Sequence, residues 1–227
     1  MISTSGSPPA FLVKKEIAAY CNTTPSSIIQ PFQRTKLKNW SYDLSLGSEA
    51  FLSSHDELTR LSDHGAIFIK PGEFALLLSK ETLFLPLDLV AFISLKSTHA
   101  FKGLVNISGF QVDPGYHGKL ALSVYNAAPT TVVLREGDPL YMIVFARLDQ
   151  QAEPRDHENP SYPSIDHLDP AMIASVKGPA VSLSSLGQRL YALETSWRET
   201  KRALIEAGIL IGTGIVVYLI LWALHIV

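Results

Sequence analysis

The sequence predicts a mainly β domain followed by a helical stalk and a single transmembrane helix. Short apolar runs recur between residues 11 and 149 and are separated by Pro and Gly, as in a β-sandwich or small barrel. Leucines at alternating spacings of three and four follow over residues 183–206, which predicts an exposed helix. The last 21 residues contain no Asp, Glu, Lys or Arg, which predicts a segment that spans a membrane.

Composition limits the classes of function. The length of 227 residues allows one domain of ordinary size with appendages, and the net charge of −2 gives no electrostatic reason to expect nucleic acid as a partner. Cys21 is the only cysteine, which excludes an intrachain disulfide, a thiolate zinc site and the zinc type of nucleobase deaminase. Residues 1–10 are uncharged and rich in Ser and Pro, which predicts a flexible N-terminus without a secretory signal.

The β body is predicted to open with a helix over Val13–Tyr20. Apolar runs mark its strands, and Pro, Gly and Asp mark the turns between them. The predicted strands are Ile67–Ile69, Phe74–Leu78, Leu83–Leu85, Leu89–Leu95, Leu104–Ile107, Leu120–Val124, Thr131–Leu134 and Leu140–Ala146.

The segment Phe110–Asn126 places one carboxylate in a rigid turn between two apolar strands. Pro114 fixes φ and Gly115 accepts backbone angles that other residues avoid, so Asp113 is held at a strand end. Tyr116 follows on the same bend. A carboxylate beside an aromatic ring suits a sugar, because one binds a hydroxyl group and the other covers the apolar face. The alternative is an ordinary hairpin in which Asp-Pro-Gly is only turn chemistry.

Residues 150–182 are predicted to be a linker rather than a folded unit, since they are rich in Pro, Asp, His and Ser. His157 and His167 lie there among acidic residues. Polar linkers collect such residues, so we predict no metal site.

An apolar seam runs along the predicted stalk and into the membrane segment. Its members are Leu186, Leu190, Leu193, Trp197, Thr200, Leu204, Ala207 and Ile211. A coiled coil that joins copies of the chain is one interpretation. The other is an amphipathic helix that packs on its own domain.

The segment 207–227 would span about 30 Å as a helix, which matches the hydrocarbon core of a bilayer. Tyr218 and Trp222 lie toward its far end, where interfacial aromatic residues are common. Arg198, Lys201 and Arg202 precede it, which predicts that the N-terminal domain stays in the cytoplasm. A buried core helix is the alternative.

Several motifs of the β body together resemble one known family. They are Ser41–Gly47 (SYDLSLG), Lys70–Leu76 (KPGEFAL), Leu85–Val90 (LPLDLV), Val112–Gly118 (VDPGYHG) and Arg135–Asp138 (REGD). In this order they resemble the dCTP deaminase and dUTPase family, over about Phe11 to Leu148. The resemblance implies a distorted jelly-roll of the dUTPase-like β-clip type. It also implies a homotrimer with nucleotide sites between subunits and Mg²⁺ held with the nucleotide phosphates.

The resemblance assigns roles to single residues. Lys96, Ser97 and Thr98 resemble the family's phosphate-binding segment, in which Phe101 replaces an arginine and Lys102 stands beside it. Asp113 and Tyr116 resemble the nucleoside-binding turn. The residues implied to bind a nucleotide are therefore Lys96, Ser97, Thr98, Lys102, Asp113 and Tyr116.

Two departures from the family concern the chemistry. Ser123 stands where the deaminases carry a proton-shuttling Glu, and Met142 stands where they carry a Gln. A serine hydroxyl lacks a pKa suited to general acid–base catalysis, so deamination is not expected. The strand around Ser123 also resembles that of dUTPases, in which the aspartate matching Asp113 activates water. The glycine-rich lid of dUTPases is not found in the sequence, and its loss should lower hydrolytic activity.

Three functions remain open. We expect a membrane-anchored module that binds a deoxypyrimidine nucleoside triphosphate, without deaminase activity, as a sensor or regulator. The first alternative is an active enzyme, either a dCTP deaminase or a dUTP pyrophosphatase in which Asp113 activates water. The second is a trimeric membrane scaffold that binds no nucleotide.

Overall fold

The computed structural model describes residues 11–22, 27–55, 57–62, 65–153, 164–176 and 183–223. The chain divides into two compact units, Met1–Ala180 and Val181–Val227. The first contains the β body and the segment that follows it, and the second contains one long helix. The predicted flexible N-terminus, residues 1–10, lies outside the described residues.

The described secondary structure begins with a helix and continues mainly as strands. The helices are α1 (Lys14–Asn22), α2 (Ser97–Ala100), α3 (Pro170–Val176) and α4 (Leu183–Ala223), and Arg34–Lys36 forms a 3-10 turn. The strands are β1 (Ile29–Gln30), β2 (Tyr42–Leu52), β3 (Thr59–Arg60), β4 (Ala66–Ile69), β5 (Phe74–Phe84), β6 (Leu89–Leu95), β7 (Leu104–Asn106), β8 (Gln111–Val112), β9 (His117–Asn126), β10 (Val132–Arg135) and β11 (Pro139–Arg147).

The strands form a curled antiparallel sheet. Its order is β7-β9-β5-β2-β11-β6-β8, with β1 beside β5 and β3 beside β2, while β10 and β4 form a separate pair. The register shifts between Leu46 and Ala50 of β2 and between Leu78 and Thr82 of β5. Such irregularities bend a strand and increase its twist, which lets the sheet curl around its core. The prediction of a mainly β body is confirmed.

Strand β5 differs from its prediction. The sequence predicted two strands, Phe74–Leu78 and Leu83–Leu85, because the polar residues 79–82 interrupt the apolar run. The structure has one continuous strand through this interruption. Glu81 is fully buried within it, and its carboxylate lies 2.8 Å from Nζ of Lys36. A buried ion pair therefore stands where apolar packing was expected.

Two hydrophobic clusters hold the body together. The larger lies within the curl and includes Tyr42, Tyr141 and Phe145, each fully buried. The smaller contains Leu76 and Leu78, which alternate along β5 with Leu77 of the larger cluster. Since successive side chains of a strand point to opposite faces, the two clusters lie on opposite sides of β5.

Residues 164–176, here called the docked segment, cover the smaller cluster. Leu168 is 4% exposed and packs in the cluster, and Met172 and Ile173 of α3 pack against it. This part of the predicted linker 150–182 thus differs from an open connector. A few apolar residues hold this segment on the β body, although its overall composition is polar.

Helix α4 is continuous for 41 residues, from Leu183 to Ala223. Its apolar part is long and apolar enough to cross a bilayer, with a mean hydropathy of 2.3. Leu190 and Trp197 of the predicted seam are 62% and 70% exposed. The coiled-coil association of this seam stays a prediction.

Candidate functional site

The turn after β8 holds Asp113 as the sequence predicted. The main-chain oxygen of Asp113 accepts a hydrogen bond from Tyr116 N at 3.2 Å, and Gly115 has a φ of 73° that favours glycine. The carboxylate is half-buried and accepts a hydrogen bond from Nε2 of Gln111 at 2.7 Å. Its Oδ1 atom is thereby oriented, and the side chain is still open enough to meet a ligand hydroxyl.

Tyr116 has a structural role in the same turn. Its ring is only 8% exposed and belongs to the main core. Its hydroxyl donates to the main-chain oxygen of Lys119, and its own main-chain oxygen accepts from Leu85 N at 2.8 Å. Little ring surface is left to cover a sugar within one chain. Positioning of the turn fits this geometry better than the stacking role suggested by the sequence.

The second group of predicted site residues lies at the end of β6. Lys96 precedes the short helix α2, and Ser97 and Thr98 are exposed in its first turn. Nζ of Lys96 lies 2.5 Å from Oδ2 of Asp43, a buried carboxylate on β2. The lysine therefore already has an anionic partner in the single chain.

Asp43 belongs to a polar face of β2 that sequence reasoning did not connect with the site. Oδ2 of Asp43 also lies 3.7 Å from Nζ of Lys38. Two residues further along β2, Ser45 N donates to Oε2 of Glu81 at 2.8 Å. Polar residues alternate at positions 41, 43 and 45, just before and along the start of β2, and this alternation was the available signal. Such alternation is typical of a solvent-facing side, whereas here the face is buried.

The remaining predicted residues lie on β9 and after α2. Ser123 of β9 is half-buried and pairs with Leu76 of β5, and its main-chain oxygen accepts from Ile107 N at 3.0 Å. Lys102 is exposed beside Phe101, which is 90% exposed. Lys102 borders a cleft of about 570 Å³ that also includes Thr130 and Arg135.

His99 lies inside the phosphate-binding segment, where it holds α2 against β11. Its Nε2 donates to the main-chain oxygen of Pro139 at 3.1 Å, while Nδ1 is buried without a hydrogen-bond partner among the described residues. Burial lowers the pKa of His99 below its ordinary value of 6.5. The imidazole is therefore neutral near pH 7 and adds no charge to the site.

Several motif residues that resembled the family build the fold rather than the site. Glu73 is buried, and its carboxylate accepts from Lys70 N at 2.7 Å and from the Ser54 hydroxyl. Asp138 closes its turn by accepting from Arg135 N at 2.8 Å. The motifs thus identify the family mostly through turn geometry.

One chain does not bring the two groups of site residues together. Val112 pairs with Ala91, so Asp113 lies beside the first residues of β6, whereas Lys96 follows its last residue. At the usual rise along a strand, these two positions are separated by about 20 Å. The two groups therefore lie at opposite ends of β6 in the single chain.

Comparisons with known proteins identify the family of the β body. Residues 11–148 match the family described as dCTP deaminase-like. The dCTP deaminase of Pyrococcus horikoshii is 35% identical over 141 residues, which cover 62% of this chain and 82% of that protein. The dCTP deaminase of Pyrococcus furiosus is 34% identical over 144 residues, which cover 63% and 84%.

A solved structure shows the same fold at lower identity. The crystal structure of 2′-deoxycytidine 5′-triphosphate deaminase from Agrobacterium tumefaciens is similar with a TM-score of 0.54 at 19% identity. The likeness covers 62% of this chain and 50% of that one. The family match ends at Leu148, so α3 and α4 lie beyond it.

Proposed function

Because the chain belongs to the dCTP deaminase-like family, we propose that it is a membrane-anchored protein that binds a deoxypyrimidine nucleoside triphosphate without deaminating it. One observation carries the proposal. Both halves of a nucleotide site are kept, Asp113 in its turn and Lys96–Thr98 beside α2, while Ser123 occupies the proton-shuttling position.

The separation of these halves supports a homotrimer with shared sites. Asp113 and Lys96 lie about 20 Å apart along β6, so neighbouring copies must each contribute one half. Closed rings of identical subunits repeat such a heterologous contact at every interface. Each site would then contain a turn from one subunit and a phosphate-binding segment from the next.

The phosphate half offers hydroxyl and ammonium donors. Ser97 and Thr98 are exposed and can donate to phosphate oxygens, and Lys102 adds a charge. Lys96 is bound to Asp43 at 2.5 Å, so a triphosphate shares or displaces that partner. Loss of an arginine at Phe101 removes a bidentate contact and weakens the hold on phosphate.

Magnesium fits this site only together with the nucleotide. Among the described residues, no group of three His, Cys, Asp or Glu side chains could form a metal cage. Mg²⁺ in nucleotide sites keeps several waters and binds through phosphate oxygens with one or two carboxylates. Asp113 is the carboxylate that would face it, and the ion would neutralise phosphate charge.

The chemistry of the site argues against deamination. Exchange of an amino group for water needs a group that takes a proton from water and delivers it to the leaving ammonia. Ser123 cannot hold and release a proton near pH 7. The carboxylate of Asp113 is oriented by Nε2 of Gln111, and the resemblance assigns it to the nucleoside-binding turn rather than to proton shuttling.

A dUTP pyrophosphatase is the second candidate. The carboxylate of Asp113 is oriented yet partly open, as a residue that activates water would need to be. The docked segment packs on the protein's own β body, so this part of the chain does not supply a lid that closes over a partner's site. We therefore favour nucleotide binding without catalysis over hydrolysis of dUTP.

Helix α4 supplies the proposed membrane anchor. Its C-terminal part is apolar enough to span a bilayer and follows Arg198, Lys201 and Arg202, which favour the cytoplasmic side. A nucleotide-binding domain on such an anchor suits a sensor or regulator of the cytoplasmic nucleotide pool.

Calorimetry and product analysis on the full-length protein in detergent micelles test the proposal. We expect heat of binding with at least one of dCTP, dUTP and dTTP in the presence of Mg²⁺, and unchanged triphosphate by chromatography. Asp113→Ala should weaken binding at least tenfold, because it removes a hydrogen bond to a charged acceptor. Asp149→Ala, which removes an exposed carboxylate outside the site, is the control.

The outcomes separate the three functions. Absence of heat with all three nucleotides would favour the scaffold. Release of nucleoside monophosphate that depends on Asp113 would favour the pyrophosphatase, and ammonia release from dCTP would favour the deaminase.

A further inference from the structure

The outer side of α1 and the neighbouring 3-10 turn form a basic groove that the proposed nucleotide site does not use. Its volume is about 500 Å³, and Lys14, Lys15 and Arg34 line it above Ala18 and Leu37. No acidic side chain is among its lining residues. Glu16, the carboxylate on α1, instead binds Val13 N at 3.0 Å and lies 3.7 Å from Nη2 of Arg147.

The positive charge of this region contrasts with the rest of the chain. Residues 11–40 contain five basic residues and one acidic residue, whereas the whole chain has a net charge of −2. Lys36 and Lys38 are engaged by Glu81 and Asp43. Within the described part of the chain, the ion pairs include none made by Lys14, Lys15 or Arg34. Their charges are available to an external anion.

Exposed apolar side chains occur just before α1 and shortly after the 3-10 turn. Phe11, Val13 and Trp40 are 52%, 49% and 52% exposed. Lys14 N donates to the main-chain oxygen of Asn39 at 2.7 Å, which brings the start of α1 beside Trp40. Aromatic rings beside lysine and arginine are typical of surfaces that enter the headgroup region of a membrane.

We propose that this basic-aromatic face, formed by Phe11, Val13, Lys14, Lys15, Arg34 and Trp40, docks on the anionic surface of the bilayer. The cations contact lipid phosphates, and the apolar side chains enter the interface between headgroups and acyl chains. The proposal rests on the membrane anchoring proposed above, because a tether raises the local concentration of the surface and makes weak contacts sufficient. It is independent of nucleotide binding.

Anionic lipid fits this face better than the other common polyanion. Nucleic acid satisfies the cations through its phosphates, but its backbone offers no apolar layer for Val13 and Phe11. At a bilayer surface, the lipid phosphates and the hydrocarbon beneath them are separated by about the length of one side chain.

Fluorescence of Trp40 in the full-length protein tests the proposal. Trp197→Phe and Trp222→Phe leave Trp40 as the only tryptophan. The protein is placed in phosphatidylcholine nanodiscs, with or without a third of the lipid replaced by phosphatidylserine. We expect a blue shift of Trp40 emission, and quenching by lipids brominated near the headgroup, only in the anionic discs.

Charge reversal of the groove should remove this response. Each basic residue near an anionic leaflet contributes about fivefold, so Lys14→Glu, Lys15→Glu and Arg34→Glu together should lower the ratio of docked to undocked protein by about a hundredfold. The matched control changes Arg60, Lys70 and Arg135 to Glu, which alters net charge equally at exposed cations outside the face. The control should keep the response.

Four results would overturn the proposal, and they are distinguishable. Equal losses in both triple variants would mean attraction by net charge alone. If the protein is recovered in the discs but Trp40 emission does not change, the proposed membrane anchor stands and the proposed docking is rejected. Absence of the protein from both kinds of disc would reject the anchoring and the docking with it. A response to duplex oligonucleotide but not to anionic lipid would identify a nucleic-acid surface.

Discussion

At the scale of single residues, lysines of the β body form ion pairs with two of its buried carboxylates. Asp43 is held by Lys96 and Lys38, and Glu81 is held by Lys36. A buried carboxylate without a partner would be strongly destabilising, so these lysines stabilise the fold. Lys96 in particular is both a residue predicted to bind phosphate and the partner of a buried carboxylate.

The sequence could predict Asp113 but not the partner of Lys96. Asp113 lies between Pro114 and a strand end, and this local chemistry determined its position in advance. Asp43 and Lys96 are separated by 53 residues and meet only because β2 and β6 both pair with β11. Contacts of this kind depend on sheet order, which local patterns do not encode.

His99 should make the stability of the β body depend on pH. Its pKa is lowered in the folded state by burial, so the unfolded chain binds the proton more readily. The protonated unfolded state is therefore favoured as the pH falls through about 6.5 toward the lower folded pKa, and stability is lost in that window. Above pH 6.5 the contribution of His99 to stability is constant.

Urea unfolding of the full-length protein between pH 7.5 and pH 5, followed by fluorescence of Trp40 in the single-tryptophan background, measures this effect. The variant His99→Gln should have lower stability at pH 7 and a smaller loss on acidification. A pH dependence that is the same in both proteins would contradict the assignment to His99. The exposed His55 gives the control variant His55→Gln.

At the scale of elements, helices and strands with a clear apolar pattern in the sequence could be predicted, and those with an interrupted pattern could not. Strand β6 has the predicted bounds, Leu89–Leu95, because six of its seven residues are apolar and Pro86 precedes them. Strand β5 was divided in the prediction because a buried ion pair looks polar in a sequence. The docked segment was missed because its apolar residues find partners on β2 and β5, which are distant along the chain.

The docked segment is tied to β9 at a glycine. Lys119 N donates to the main-chain oxygen of Ile165 at 2.6 Å, and the Ser164 hydroxyl donates to the main-chain oxygen of His117. Gly118 lies between them with a φ of 146°. A Cβ atom there would lie 2.8 Å from Ile165 N and 2.9 Å from Ile165 O. Backbone thus approaches backbone at a position where a side chain does not fit.

Gly118→Ala should therefore detach the docked segment. The strained backbone and the close contact together cost of order 1–3 kcal/mol, which the segment avoids by leaving β9. Hydrogen exchange should rise throughout residues 164–176, while the core strands keep their protection. Gly109→Ala is the control, since nothing lies within 4 Å of a Cβ atom at that position. Unchanged protection of the segment in Gly118→Ala would show that β9 can move aside.

At the scale of the whole molecule, the proposed sharing of sites between subunits rests on the separation of the two half-sites. Asp113 and Lys96 lie at opposite ends of β6. The fold of a single chain could be predicted from the resemblance of its motifs, whereas the sharing of each site between copies belongs to the proposed function. The assembly is the level at which function is proposed to arise.

Mixed assemblies test this arrangement. Asp113→Ala should eliminate one half-site, and the pair Ser97→Ala and Thr98→Ala should eliminate the other, so neither variant alone should bind nucleotide. When the two are co-expressed in equal amounts, a trimer with shared interfaces should recover roughly a quarter of the sites. Calorimetry on the co-purified proteins measures the recovered fraction. No recovery in assemblies shown to contain both variants would place the complete site within one chain.

In the proposed nucleotide site, the ion pair between Lys96 and Asp43 sets the concentration of ligand at which the site fills. An ammonium group that already has a partner at 2.5 Å holds an incoming phosphate less firmly than a free one. Every 1.4 kcal/mol diverted to that partner weakens the affinity about tenfold. A receptor weakened in this way stays empty while its ligand is scarce and fills as the supply grows, so its occupancy follows abundance instead of saturating early.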